Sequence, residues 1–342
     1  MAQAIHCLVS DAVAIFFALT GAYWFREGNT WGKVGKHYLK IIGTMLACVI
    51  IVQVFEPYIY DKNWFNLDSL PSLMNIDLAS ILNGIVSRDA KLFGSVCSVY
   101  WYSLDLGVLV LWFPLLKTMT SSDKTVLIYL FIVLVNCFYS DCSLLFDLGN
   151  LRILSTVVLP IQPALILLGY FINKHIDYFR IHLGRIKPYI FLGACYIFRF
   201  LLQQHLFSVD NELSTFFRYD RFLSFLIVAL WMIAVNAAQN ESSKENKSNC
   251  FTDNIVKTVR KSTFGIYLIH NILVTKMRST GLLGNMQLLF KTQLGISLGT
   301  LLYTLTSTII VFTVSYCFVY IIKQILNKLI QLFKHSLPIC RE

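Results

Sequence analysis

The ten residues KSTFGIYLIH, from Lys261 to His270, decide how this chain folds, because they lead from a basic, polar segment into an apolar one. A lysine and two hydroxyl residues come first, a glycine and an aromatic residue follow, and His270 closes the stretch. This order predicts a helix that enters a membrane from its basic side and carries one titratable side chain inside. Because a charge or an imidazole at membrane depth is costly, His270 is a candidate functional residue.

The rest of the chain has the same apolar character. Its 342 residues are 56% hydrophobic and only 14% charged, and the mean hydropathy is +0.63, whereas a soluble domain carries about 25% charged residues. We therefore predict an all-α, polytopic transmembrane helical bundle of about nine helices, each able or nearly able to cross about 30 Å of hydrocarbon. The nine apolar runs cover residues 8–25, 41–56, 93–116, 125–140, 152–172, 189–206, 221–238, 263–276 and 293–322. Residues 1–322 are predicted to form a single transmembrane domain, and residues 323–342 a basic amphipathic tail.

The loops between these runs alternate in charge, which predicts the topology. One set contains 19 Lys and Arg against seven acids, and the other contains nine against ten. The basic set comprises residues 26–40, 117–124, 173–188, 239–262 and 323–342. The positive-inside rule places this set in the cytoplasm, so we predict a multi-pass protein of the plasma or inner membrane with a cytoplasmic C-terminus. The net charge of +10 then follows from topology, and no nucleic-acid partner is expected.

Metal and disulfide sites are not indicated. The nine cysteines are scattered and include no Cys-x-x-Cys pair, which argues against a zinc site and against a disulfide framework.

Four blocks of sequence resemble those of a known family, in that family's order. They are AVAIFFALTGAYWF (residues 12–25), YWYSLDLGVLVLWFPLL (100–116), ALILLGYFINKH (164–175) and STFGIYLIH (262–270). The chain resembles the integral-membrane acyltransferase family 3. The resemblance implies transfer of an acetyl group from acetyl-CoA, with no bound cofactor, to a hydroxyl of a cell-envelope polysaccharide or of its lipid-linked precursor. It also implies two partners, the lipid bilayer and the glycan acceptor.

One departure from the family concerns its first helix, which carries an arginine followed by a histidine. That helix has no counterpart here, so we expect one helix fewer than the family's usual ten and little or no acetyl transfer by this form of the chain. Two alternatives stay open. The chain could be a non-catalytic, truncated relative, or it could be a polysaccharide flippase or polymerase, a class that lacks the STFGIYLIH block.

Acyl transfer needs a base for the acceptor hydroxyl and donors for the oxyanion. His270 is the best-placed imidazole, although it could instead cap a buried carbonyl. Asp105 and Arg199 lie near the middle of their apolar runs, where an unpaired charge costs about 2.5–3.5 kcal/mol. Pairing with each other, or sharing an aqueous cavity, would relieve this cost, and the two residues are candidates either for a structural ion pair or for a catalytic contact with substrate.

Residues near the ends of the runs form two further groups. Asp11, Gln203, Gln204 and His205 lie near outer ends and could line an acceptor site, or could be interfacial. Near inner ends, Lys33, Lys36 and Lys40 could attract the phosphates of the acyl donor as point charges, or could serve only as orientation signals and headgroup contacts. A second inner loop contains Lys174, His175 and Arg180, and the same two interpretations apply to it.

Overall fold

The computed structural model describes residues 11–62, 76–146, 161–184, 186–210, 221–245 and 250–336, and within these ranges it contains helices and no strands. The all-α prediction is therefore confirmed. The α-helices are α1 (Ala12–Trp24), α2 (Trp31–Val54), α3 (Glu56–Tyr60), α4 (Leu78–Ser87), α5 (Trp101–Met119), α6 (Asp123–Leu145), α7 (Ile161–Lys174), α8 (Ile176–Leu183), α9 (Lys187–Asp210), α10 (Phe222–Glu245), α11 (Cys250–Ser279), α12 (Leu282–Leu294) and α13 (Ile296–Ser336). Two short 3-10 helices, Ala90–Phe93 and Ser95–Tyr100, precede α5.

Each predicted apolar run is largely helical over the part that the structure describes, although three of the runs are interrupted, at Phe55, Gly94 and Gly295. Among the described residues, four helical stretches are long and apolar enough to cross a membrane by length and composition: Trp31–Val54, Ser95–Met119, Asp123–Ser143 and Leu298–Ile325. The eighth run, residues 263–276, is predicted to be short, but the helix that contains it has 30 residues. The difference arises because α11 continues back to Cys250 through polar residues, which suit a helix but lower the hydropathy.

The chain divides into two compact units, the first comprising residues 1–39 and 106–246. In this unit α1 packs against α7 through two glycines. A Cβ atom added to Gly21 would lie 1.8 Å from the carbonyl oxygen of Ile166, and one added to Gly169 would lie 1.8 Å from that of Ala18. Small residues allow this close approach of two membrane helices. The glycines of the ALTGAY and LLGYF blocks therefore have a packing role.

The second unit comprises residues 40–105 and 247–342. Its buried core joins the later part of α2, α4, the two 3-10 helices and α11, with Met45, Phe93, Tyr100 and Leu268 among its members. Helix α4 begins at Leu78 because the Asp77 side chain accepts a hydrogen bond from the Ser80 backbone N–H at 3.0 Å, which caps the helix.

The predicted division between a domain over residues 1–322 and a tail over residues 323–342 stays a prediction. Helix α13 runs without a break from Ile296 to Ser336, so the proposed boundary falls inside a continuous helix.

Candidate functional site

His270 lies on α11, half-buried, with its ring fixed by the backbone of its own helix. Its Nδ1 lies 2.7 Å from the Tyr267 carbonyl oxygen. Because a carbonyl only accepts, Nδ1 carries the hydrogen and donates it. In the neutral imidazole the other nitrogen, Nε2, then keeps its lone pair. His270 thus binds a carbonyl, as one of the two sequence-based interpretations expects, and still presents a nitrogen that can take a proton.

The helix around His270 is tied to the short 3-10 helix Ser95–Tyr100 by three side chains. The Tyr100 hydroxyl donates to the Leu268 carbonyl oxygen at 2.7 Å. In the opposite direction the Tyr267 hydroxyl donates to the carbonyl of Val99, and the Asn271 amide donates to that of Val96. The anchored residues of α11 immediately surround His270 in the sequence, so these bonds fix the depth and rotation of its ring.

A cavity of about 430 Å³ opens beside His270 within the second unit. On α11 it is lined by Ile266, His270, Val274 and Arg278, which recur every fourth residue and therefore share one face of the helix. The remaining lining residues come from α12 and α13: Leu283, Tyr303, Ser307, Thr308, Val311 and Phe312. This volume falls within the range of about 300–1,000 Å³ that is usual for small-molecule sites.

The polar groups of the cavity divide into acceptors and donors. Ser307 and Thr308 donate their hydroxyl hydrogens to the Thr304 carbonyl oxygen at 3.1 and 2.7 Å, so their oxygens can still accept. Tyr303 can donate from its hydroxyl, and Arg278 adds a permanent positive charge. The cavity therefore combines an imidazole, hydrogen-bond acceptors and hydrogen-bond donors between apolar walls.

Sequence reasoning missed Arg278, Tyr303, Ser307 and Thr308. Arg278 could have been found from its spacing, because it follows His270 by two steps of four residues, and residues at that spacing share a helix face. No comparable signal exists for the α13 residues, because their place beside α11 depends on tertiary packing.

Arg199 is fully buried in the first unit, where it forms an ion pair with Asp11. Its Nη1 lies 2.6 Å from Asp11 Oδ2, and the two side chains are 0% and 1% exposed. Ser224 donates its hydroxyl hydrogen to the other oxygen of the Asp11 carboxylate. Asp11 and Gln203 are thus both buried inside the protein, and whether they serve an acceptor site or lie at the membrane interface stays a prediction.

Comparison with protein families identifies the class of the chain. A family model described as an acyltransferase domain, that of the acyltransferase 3 family, matches residues 8–320. The chain belongs to the acyltransferase 3 family. No curated protein and no solved structure matches it significantly. The matched range includes all four sequence blocks on which the resemblance depends. Together with the apolar helices, this match identifies the chain as a membrane acyltransferase. Acyl transfer is therefore favoured over the flippase and polymerase alternatives.

In this family member Asp105 and Arg199 belong to different units. Asp105 lies half-buried on α5, at the end of a segment of the second unit, and Arg199 lies on α9 in the first. Within its own unit Arg199 forms an ion pair with Asp11. The predicted pair of Asp105 with Arg199 stays a prediction.

The three lysines assigned to the acyl donor lie at the start of α2, and all are exposed. Lys33 donates to the Gly28 carbonyl oxygen at 2.8 Å. Their spacing of three and four residues places Lys33, Lys36 and Lys40 along one helix face. They can present a stripe of positive charge to solvent or to headgroups, and their role in this acyltransferase stays a prediction.

The second inner basic segment is tied to the start of α6. Lys174 and His175 lie 2.7 and 3.0 Å from the two carboxylate oxygens of Asp123. The hydrogen bond to Asp123 raises the pKa of Lys174 above its ordinary value. Since the Asp123 carboxylate already pairs with Lys174, the exposed lysines of α2 are the better candidates for attracting the phosphates of the predicted acyl donor.

The described part of the chain contains no metal-site candidate, that is, no group of three or more His, Cys, Asp or Glu side chains that could hold a metal ion.

Proposed function

We propose that this membrane acyltransferase moves an acetyl group from acetyl-CoA to a hydroxyl of a cell-envelope polysaccharide or of its lipid-linked precursor, with His270 as the general base. The missing first helix leads us to expect little transfer by this form of the chain, and the proposal departs from that expectation because His270 presents an imidazole to a cavity without that helix. The observation that carries the proposal is the state of the His270 ring. Its Nδ1 is occupied by the Tyr267 carbonyl at 2.7 Å, and the residue lines a cavity large enough for a sugar unit. A neutral imidazole held in this tautomer is suited to remove a hydroxyl proton at neutral pH.

The proposed reaction balances as an ordinary acyl transfer. His270 Nε2 removes the proton of the acceptor hydroxyl while the hydroxyl oxygen attacks the thioester carbonyl. A C–O bond forms, and negative charge develops on the carbonyl oxygen. The Tyr303 hydroxyl is the candidate hydrogen-bond donor to that oxyanion. When the intermediate collapses, the C–S bond breaks, and CoA leaves as a thiolate that receives the proton held by His270.

The two substrates are proposed to approach from opposite sides of the membrane. Lys33, Lys36 and Lys40 lie at the start of α2, in a segment that the charge alternation assigns to the cytoplasm, where acetyl-CoA is found. Along α11 the cavity-lining residues run from His270 towards Arg278, the end that the same alternation assigns to the outside. An envelope glycan could enter the cavity from that end.

The proposal is tested by acetyl transfer in isolated membranes. Radiolabelled acetyl-CoA is supplied to membranes that contain the wild type or His270→Ala at matched levels of folded protein, and label in envelope glycan is measured. We expect His270→Ala to lower transfer by about 10²–10⁴-fold, the usual contribution of a general base. Added imidazole should restore part of the loss, because it can occupy the space of the missing ring.

The matched control is His182→Ala. The ring of His182 also bonds the carbonyl of its own helix, at 2.8 Å from Tyr178, but it is exposed on α8 in the other unit. This variant should retain full transfer. Wild-type transfer that survives His270→Ala would mean that another residue is the base, and absence of transfer from every form would support the non-catalytic alternative.

A further inference from the structure

The outer end of the cavity carries one guanidinium, that of Arg278. Arg278 follows His270 by eight residues on the same face of α11, which corresponds to about 12 Å along the helix axis. It is exposed and lines the cavity. Within the described residues no other side chain or carbonyl accepts a hydrogen bond from its guanidinium or forms an ion pair with it. His270, the proposed base, and the Arg278 guanidinium therefore line the same cavity, about two helical turns apart on α11.

The helices around this space contain no acidic residue over most of their length. Residues 254–341, which include most of α11 and all of α12 and α13, have ten Lys and Arg and no Asp or Glu. Any group that enters between these three helices therefore meets charge of one sign only. An anionic ligand is attracted there, and a cationic ligand is repelled.

Arginine is suited to bind an anionic oxygen group here. Its planar guanidinium can donate two parallel hydrogen bonds to a carboxylate or a phosphate. The walls of the cavity beside it include the apolar side chains of Val274 and Leu283, which offer no competing partner for the guanidinium.

We propose that the acceptor is an acidic glycan, in which a carboxylate or phosphate group lies about 12 Å from the hydroxyl that is acylated, and that Arg278 binds this group. The inference deepens the proposed function and rests on it, since the position of the reacting hydroxyl is set by His270. A separation of this size exceeds one sugar ring. The anion therefore belongs to a neighbouring sugar or to the phosphate that links the sugar to its lipid.

A lipid headgroup phosphate offers the same chemistry as an acidic glycan, so the experiment must separate the two. Purified full-length protein is placed in phosphatidylcholine nanodiscs, and its thermal unfolding is followed with glucuronic acid, glucose 1-phosphate or glucose. No acyl donor is added, so the measurement does not depend on catalysis. A second set of nanodiscs contains phosphatidylglycerol and no sugar.

We expect the two charged sugars to bind at least about tenfold more tightly than glucose, as a charge-assisted pair implies. Arg278→Gln should abolish this preference, and Arg278→Lys should keep part of it. Lys291→Gln is the matched control, because it removes a charge from the same predicted outer segment, at a residue that does not line the cavity. This variant should keep the full preference.

The inference is wrong if glucose and the charged sugars bind equally well, or if the preference for charged sugars persists in Arg278→Gln. It is also wrong if phosphatidylglycerol stabilises the protein through Arg278 and the sugars do not. Should Arg278→Gln not fold, Arg278→Lys and the comparison of sugars on the wild type still decide the matter. If the wild type shows no preference for the charged sugars but its acetyl transfer depends on His270, the inference fails and the proposed function stands. If the preference depends on Arg278 but transfer does not depend on His270, the anion site stands and the proposed role of His270 fails.

Discussion

The Tyr100 hydroxyl donates to the Leu268 carbonyl oxygen at 2.7 Å, two residues before His270. Tyr100 is fully buried, and its bond ties the helix that carries the proposed base to the 3-10 helix Ser95–Tyr100. Since a misplacement of about 1 Å can lower an enzymatic rate by about 100-fold, this bond is expected to matter more for acetyl transfer than for stability.

Tyr100→Phe should therefore lower the rate of transfer several-fold while destabilising the protein by about 0.5–1.5 kcal/mol, the net value of one hydrogen bond. Adding Tyr267→Phe, which removes the reciprocal bond to Val99, should deepen the loss of rate. The kcat and KM values for acetyl-CoA and the thermal unfolding temperature are the measurements. Tyr196→Phe is the control, because Tyr196 accepts a hydrogen bond from Trp231 in the other unit. A fall in rate no larger in Tyr100→Phe than in Tyr196→Phe would contradict the positioning role.

The contact between α1 and α7 should not tolerate a methyl group. In Gly21→Ala or Gly169→Ala the new Cβ would lie 1.8 Å from a backbone carbonyl oxygen, and backbone cannot move aside as a flexible side chain can. We expect each substitution to destabilise the protein by about 1–3 kcal/mol or more, as is typical of overpacking. The measurements are the yield of folded protein and the unfolding temperature. Gly193→Ala, on α9 of the same unit, has open space around its Cβ position and should be neutral or slightly stabilising. Similar behaviour of the three variants would show that the helices do not approach this closely.

The buried pair of Asp11 and Arg199 should behave as one unit in a double-mutant cycle. Removing one partner leaves an uncompensated buried charge, so Asp11→Asn and Arg199→Gln should each cost about 3–5 kcal/mol of stability. The double variant should be less destabilised than the sum of the two, by more than about 0.5 kcal/mol. Strictly additive losses would argue that the carboxylate and the guanidinium do not depend on each other.

The same cycle with Asp105→Asn in place of Asp11→Asn tests the pair predicted from the sequence. Coupling between Asp105 and Arg199 would support that pair, and additive effects would leave Asp11 as the acidic group on which Arg199 depends.

The predicted orientation in the membrane can be tested with thiol reagents on intact cells. Cys250 lies in a segment that the charge alternation places in the cytoplasm, and Leu70 lies in one that it places outside. In variants with no other cysteine, an impermeant reagent should label Leu70→Cys and leave Cys250 unlabelled until the membrane is opened. The reverse pattern would invert the topology and, with it, the side from which the cavity is proposed to be entered.

Hydropathy and loop charge predict the helices well, because the cost of burying polar backbone and charge in lipid acts on each segment separately. Side-chain partners depend on how segments meet, and this explains where the sequence reasoning fell short. Arg199 was recognised as a buried charge in need of a partner, yet Asp11, near the start of the chain, carries no local signal that it would supply one. His270 was found because it stands alone in an apolar run, whereas Tyr303 and Ser307 look like any polar residues of a long helix until α13 packs beside α11.

The exposed lysines of α2 lead to a prediction about the affinity for acetyl-CoA. If Lys33, Lys36 and Lys40 attract the phosphates of the donor, their joint replacement by Gln should raise the KM for acetyl-CoA and leave kcat nearly unchanged, because the lysines act on binding and not on the reacting atoms. Exposed ion pairs are each worth about 0.2–1 kcal/mol, so the loss of three should raise the KM by roughly threefold at least and by roughly 100-fold at most. High salt should raise the KM of the wild type and reduce the difference from the variant, since exposed charges are screened.

Two controls make this prediction specific to the α2 lysines. Acetyl-dephospho-CoA lacks one phosphate group, so the wild type should discriminate against it more strongly than the triple variant does. Lys328→Gln removes an exposed charge from α13, in the tail that is also predicted to be cytoplasmic, and it should leave the KM unchanged. An unaltered KM in the triple variant would restrict these lysines to orientation and headgroup binding. An equal rise in KM for Lys328→Gln would mean that the donor responds to the general positive charge of the inner surface and not to the face of α2.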